Sequence, residues 1–152
     1  HHIPKKPLDE KLSGVFRHRP LDIRHPLLRG FDEVFYMPHS RFAEVSRYDI
    51  DRNPSLEVLA MSETAGVAIA ATTDARQVFV TGHCEYDRYT LANEYNRDVH
   101  RGLSPAVPRH YFPGDDPTAV PTMLWRSHAN LLFSNWLNYF VYQQTPYDLS
   151  NI

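Results

Sequence analysis

Residues 66–87 read GVAIAATTDARQVFVTGHCEYD, and this stretch decides the fold class. Gly66–Ala71 is continuously apolar and Gln77–Thr81 is β-branched and aromatic, so both read as strands. Thr72-Thr73-Asp74 supplies a turn between them, which makes the pair a hairpin. Gly82 ends the second strand. Asp87 then caps a helix running to about Arg101, with Gly102 as its stop and Leu91, Tyr95 and Val99 as its buried stripe. Strands buried on both faces, beside a strand–glycine–helix step, indicate an α/β sheet sandwiched by helices. Ligands of such sheets sit in the loops at the carboxyl ends of strands, which points to Thr81-Gly82-His83-Cys84-Glu85.

Upstream, Pro4, Pro7, Pro20, Pro26 and Pro38 divide the first third into short extended pieces. Strands are predicted at 12–16 and at 33–37, the latter halted by Pro38-His39-Ser40, and a third at 56–60, where polar and apolar residues alternate. Downstream, residues 103–122 hold five prolines and read as a long irregular excursion. Ser127 is placed as the cap of a final helix over about 128–143, rich in aromatics and carrying Asn130, Asn135 and Asn138. Its apolar face reads as core or as a dimer contact.

The chain has 152 residues and a net charge of −2, with ordinary globular composition. A single domain with a real core fits this length. The charge balance argues against nucleic-acid and anionic-membrane partners, since no basic surplus exists to neutralise phosphates. The lone cysteine, Cys84, excludes an internal disulfide, and no apolar run approaches a membrane span. A cytoplasmic location is expected. The chain opens on His1-His2 rather than Met, so its start reads as processed, as tagged, or as a break inside a longer protein.

His83 after Gly82, with Glu85 two residues on, has the composition of a general base and the carboxylate that orients it. The competing reading is a locally bonded imidazole and a helix-capping glutamate. Cys84 between them reads as a small buried thiol, because adjacent residues of an extended segment point apart. Ser40 lacks the G-x-S-x-G elbow of a serine hydrolase. His39, His83 and His128 could supply a metal only by converging in space, and no metal-ligand spacing occurs. Arg97 is either one half of an exposed pair with Glu94 or a guanidinium fork for a substrate carboxylate. Lys11 and Ser13 read as ordinary polar positions.

The chain resembles the homoserine O-succinyltransferase/O-acetyltransferase family over essentially its whole length. The resemblance is carried by Ile3-Pro4-Lys5, Lys11-Leu12, Gly14-Val15-Phe16, the run from His25 to Phe31, Pro38-His39-Ser40-Arg41 and Val80-Thr81-Gly82-His83. Glu85-Tyr86-Asp87, Glu94-Tyr95, Arg97-Asp98-Val99, Tyr111-Phe112-Pro113, Asp115-Asp116-Pro117 and Trp125–Tyr139 continue it. It implies a flavodoxin-like three-layer sandwich of the class I glutamine amidotransferase type, with residues 1–152 forming the C-terminal part of one domain whose N-terminal half is missing from this chain.

The implied chemistry is a ping-pong acyl transfer of methionine biosynthesis, from succinyl-CoA or acetyl-CoA to L-homoserine, through a cysteine acyl-enzyme and without a further cofactor. In this resemblance His83 matches the general base, Glu85 its orienting carboxylate, Arg97 the clamp on the homoserine carboxylate, and Lys11 and Ser40 substrate-contacting positions. Two departures stand out: Cys84 replaces the family's proline between His and Glu, and the cysteine elbow expected upstream of Ile3 has no match. The chain alone is therefore expected to be inactive and to associate tightly with the segment carrying that cysteine, in a homodimeric enzyme. A non-catalytic substrate-binding fragment and a serine O-acetyltransferase of the same family are the alternatives.

Overall fold

The structure is a computed structural model that describes residues 1–143 and Ser150. Among the described residues five strands, β1 (Lys5–Pro20), β2 (Phe35–Val45), β3 (Leu56–Ser62), β4 (Gly66–Thr72) and β5 (Val78–Val80), form one sheet in the order β2-β1-β3-β4-β5. All four ladders are antiparallel. The α-helices among the described residues are α1 (Arg47–Asp51), α2 (Thr90–His100) and α3 (Arg126–Trp136), the last continued by a π-helical segment over Leu137–Tyr142. Among the described residues no helix is long and apolar enough to cross a membrane.

The hairpin forms as the sequence predicts, with Ile69 opposite Val80 and Ala71 opposite Val78. β4 is buried on both faces because each meets a separate apolar cluster. Ala68, Ile69 and Ala71 join Leu27, Leu28, Phe35, Leu59 and Leu132 on one side, while Val67 and Ala70 join Ile50 and Leu56 on the other. α3 supplies Ala129 and Leu132 to the first cluster, and buried Asn135 donates to the carbonyls of Leu27 (3.0 Å) and Arg29 (2.9 Å). Its Phe133 and Trp136 are exposed, so the helix has one core face and one open face.

Several boundaries differ from the sequence reading. β2 does not halt at Pro38 but runs on to Val45. It is an edge strand, where a missing N–H costs no ladder bond. β1 extends well beyond 12–16 in both directions. A break in register between Pro7 and Leu12 bends it, and its last residues leave β2 to pair with β3. α3 begins at Arg126 rather than after Ser127, because Trp125, almost fully buried, anchors its first turn. In α2, Leu91 and Ala92 are buried and Tyr95 partly so, but Val99 is exposed and does not belong to the inner stripe.

The proline-rich excursion is pinned against β1. Arg109 N donates to Ser13 O and Val15 N donates to Arg109 O, both at 2.9 Å. A side chain on Gly14 would meet the Arg109 backbone at 2.3 Å, so only glycine admits this approach. Tyr111, Phe112 and Trp125 thereby pack with Val15, Leu91 and Ala92 into a third cluster, which holds α2 against the sheet.

Candidate active site

The site gathers where the sheet curls upon itself. β2 and β5 are opposite edges in strand order, yet His83 N, just past β5, donates to Pro38 O of β2 at 2.8 Å. Gly82 permits this. A Cβ there would lie 2.4 Å from Met37 Sδ and 2.9 Å from Pro38 O. The glycine serves close approach rather than a left-handed turn.

His83 Nδ1 and Glu85 Oε1 lie 2.8 Å apart. A carboxylate at Nδ1 fixes the proton there and leaves Nε2 as the acceptor. The His83 ring stacks on Tyr86, with centroids 4.3 Å apart and planes 11° from parallel. Tyr86 Oη donates to Glu94 Oε1 at 2.7 Å. Glu94 Oε2 receives Ser40 Oγ at 2.5 Å and Lys11 Nζ at 3.4 Å. Lys11 also lies 3.8 Å from Asp98, whose carboxylate takes the Arg97 guanidinium at 2.8 Å. One chain of contacts thus joins all five candidate positions, with the His83–Glu85 pair at one end and Arg97 at the other.

Charge in this chain is set locally. Burial pushes the Glu94 carboxyl up, but hydrogen bonds from Ser40 and Tyr86 and the charge of Lys11 outweigh it, so the group is held below its usual range and ionised. Burial and the Glu94 carboxylate together push the Tyr86 hydroxyl well up. Arg97 keeps Asp98 low. Cys84 is buried, and burial plus the nearby Glu85 charge raise its thiol, so it stays protonated in the core.

The exposed Glu94–Arg97 pair considered from sequence does not form, because Glu94 turns inward to Lys11, Ser40 and Tyr86, and Arg97 bonds Asp98 instead. The three histidines do not converge either. His39 bonds His18 through the two Nε2 atoms at 3.0 Å, and His128 bonds Asp32 at 3.1 Å. Among the described residues no group of three or more His, Cys, Asp or Glu could hold a metal ion. Sequence reasoning left Tyr86 without a role and read Glu94 only as a surface partner of Arg97. The signal for Glu94 lay in helical spacing. Positions 91, 94, 95 and 98 share one face, so two acids sat on the very stripe assigned to core.

The family model described as homoserine O-succinyltransferase matches residues 1–147. The chain belongs to the homoserine O-succinyltransferase family. Among its relatives, a homoserine O-acetyltransferase from Methanomassiliicoccus intestinalis is 63% identical over 150 residues, covering 99% of this chain and 48% of that protein. A homoserine O-succinyltransferase from Aliivibrio fischeri is 56% identical over 149 residues, covering 98% and 48% respectively. This member of the family therefore spans about half the length of the relatives it matches.

Solved structures agree on the fold. A glutamine amidotransferase from Thermotoga maritima aligns with a TM-score of 0.57 at 11% identity, covering 90% of this chain and 54% of that one. Another from Methylobacillus flagellatus gives 0.59 at 12%, covering 90% and 55%. The chain has the class I glutamine amidotransferase-like α/β fold, of which it forms a part.

Proposed function

We propose that the full-length protein to which this chain belongs is a homoserine O-acyltransferase, with succinyl-CoA or acetyl-CoA as donor and a cysteine nucleophile outside these 152 residues. Relatives bearing both names support acyl transfer to homoserine. The observation that carries the mechanism is the 2.8 Å contact in which His83 Nδ1 donates to Glu85 Oε1, which leaves Nε2 to accept a proton.

In the first half-reaction the cysteine thiolate adds to the thioester carbonyl, and collapse of the tetrahedral intermediate expels CoA and leaves an acyl-enzyme. In the second, the homoserine hydroxyl adds to the acyl-enzyme while His83 Nε2 takes its proton. The cysteine thiolate then departs, and the ester is released. Glu85 stabilises the imidazolium formed at that moment. Arg97 holds the acceptor carboxylate after exchanging Asp98 for it, while Lys11 and Ser40 contact substrate from β1 and β2. The chemistry needs acyl-CoA as co-substrate and no further cofactor.

The test is release of CoA thiol by the full-length protein, given either acyl donor with homoserine or with serine. Homoserine-dependent release is expected. His83→Ala should lower turnover by about 10²–10⁴-fold, the range for removing a general base, and Glu85→Ala by less. Sustained release beyond the single burst equivalent without any acceptor, turnover with serine alone, or undiminished turnover in His83→Ala would each overturn the assignment.

A further inference from the structure

We propose that Tyr86 is a positioning residue for His83, closing one face of the imidazole with its ring and anchoring that ring to α2 through Glu94. The inference rests on the reading of His83 as the base and adds what holds that base still.

A single in-plane bond fixes a tautomer but not a plane. Glu85 grips His83 only at Nδ1, and the Glu85 side chain is 57% exposed, so by itself it leaves the imidazole free to rock about the Nδ1–Oε1 line. The parallel Tyr86 ring, 4.3 Å away, blocks that motion from one face. Tyr86 is itself held at three points. Its amide donates to His83 O at 3.2 Å, its carbonyl accepts Trp125 Nε1 at 2.8 Å, and its hydroxyl donates to Glu94 at 2.7 Å.

Glu94 stands on a helix packed into the core and is braced on its other oxygen by Ser40 and Lys11. The imidazole is thus referred to the rigid frame of α2, β1 and β2 rather than to its own loop. An aromatic three residues after the base provides this, since it returns under His83 within one turn of chain.

The experiment uses the full-length protein and two substitutions. Tyr86→Met fills the space without a flat ring, and Tyr86→Phe keeps the ring and loses only the Glu94 bond. A base displaced by about 1 Å costs about 100-fold in rate. Tyr86→Met should therefore lose about that factor in kcat with little change in acceptor KM, and Tyr86→Phe, which keeps the ring but frees it from Glu94, should recover only part of it.

In nitrogen-15 spectra the His83 ring signals should broaden most in Tyr86→Met and less in Tyr86→Phe. Should circular dichroism show Tyr86→Met unfolded, Tyr86→Leu carries the same expectations. Wild-type kcat in the ringless variant, or a Phe variant no better than Met, overturns the proposal. Absence of acyl transfer by the unsubstituted protein would sink the functional reading instead, and the ring spectra would still decide the role of Tyr86.

Discussion

Gly82→Ala tests the contact on which the site is built. The new Cβ would stand 2.4 Å from Met37 Sδ, 2.7 Å from Met37 Cγ and 2.9 Å from Pro38 O. Carbon contacts relax at about 3.5–4.0 Å, so the loop must retreat from β2 by roughly 1 Å. Overpacking of this kind costs about 1–3 kcal/mol. The retreat also strains the His83 N to Pro38 O bond, another ~1 kcal/mol. Because His83 moves with its amide, turnover should fall by about 100-fold even where the protein remains folded.

Met37→Ala in the same chain clears the Sδ and Cγ obstruction but not the Pro38 carbonyl. The double variant should therefore recover part of the loss, with a favourable coupling of about 0.5–3 kcal/mol, the range for residues in contact. Urea unfolding gives the stability cycle, and CoA thiol release gives the rate. Near-wild-type stability and rate in Gly82→Ala would refute the argument, as would a double variant whose costs simply add.

The buried His18–His39 pair makes stability depend on acidity. Burial, with the Arg41 charge adding, lowers His18 to about 4, and burial, with the charges of His18 and Arg41 adding, lowers His39 to about 2. Both are neutral in the fold and take up protons only on unfolding. Their contribution is thus present above about 6.5 and is lost as pH falls below it, the unfolded state binding more protons throughout that window. Urea unfolding should show a loss on the order of 3 kcal/mol between pH 7 and pH 5, and His18→Asn/His39→Gln should flatten that slope. Equal slopes in the two proteins would dismiss the pair as its source.

Arg97→Lys keeps the charge but removes the planar fork, so the acceptor KM should rise by about 10–100-fold, the worth of one charge-assisted bond. Acyl-enzyme formation, followed as the burst of CoA thiol, should be unaffected. An unchanged homoserine KM would remove Arg97 from the acceptor site.

What could be read along the chain and what could not divides at β1. The hairpin of β4 and β5 was legible because an unbroken apolar run and a β-branched run flank a turn, and both faces of β4 are indeed buried. The His83–Glu85 contact was legible because two residues of separation suffice to bring the groups together without help from elsewhere. Pro38 misled because proline halts a strand only where a ladder needs its missing N–H, and on the outer side of the edge strand β2 none does. Glu94 misled because an acid on an inner helical face looks like a solvated residue until Lys11, Ser40 and Tyr86 are seen to surround it.

Behind both lies one fact that no local pattern carries. β1 breaks register between Pro7 and Leu12, pairs with β2 for most of its length and then passes to β3, so a single strand serves two ladders. The curl that follows brings Met37 and Pro38 of one edge against Gly82 beyond the other. A glycine fixed by that contact carries the histidine into place. The His83–Glu85 contact is short in sequence, but its place in the molecule is set by a strand more than forty positions earlier.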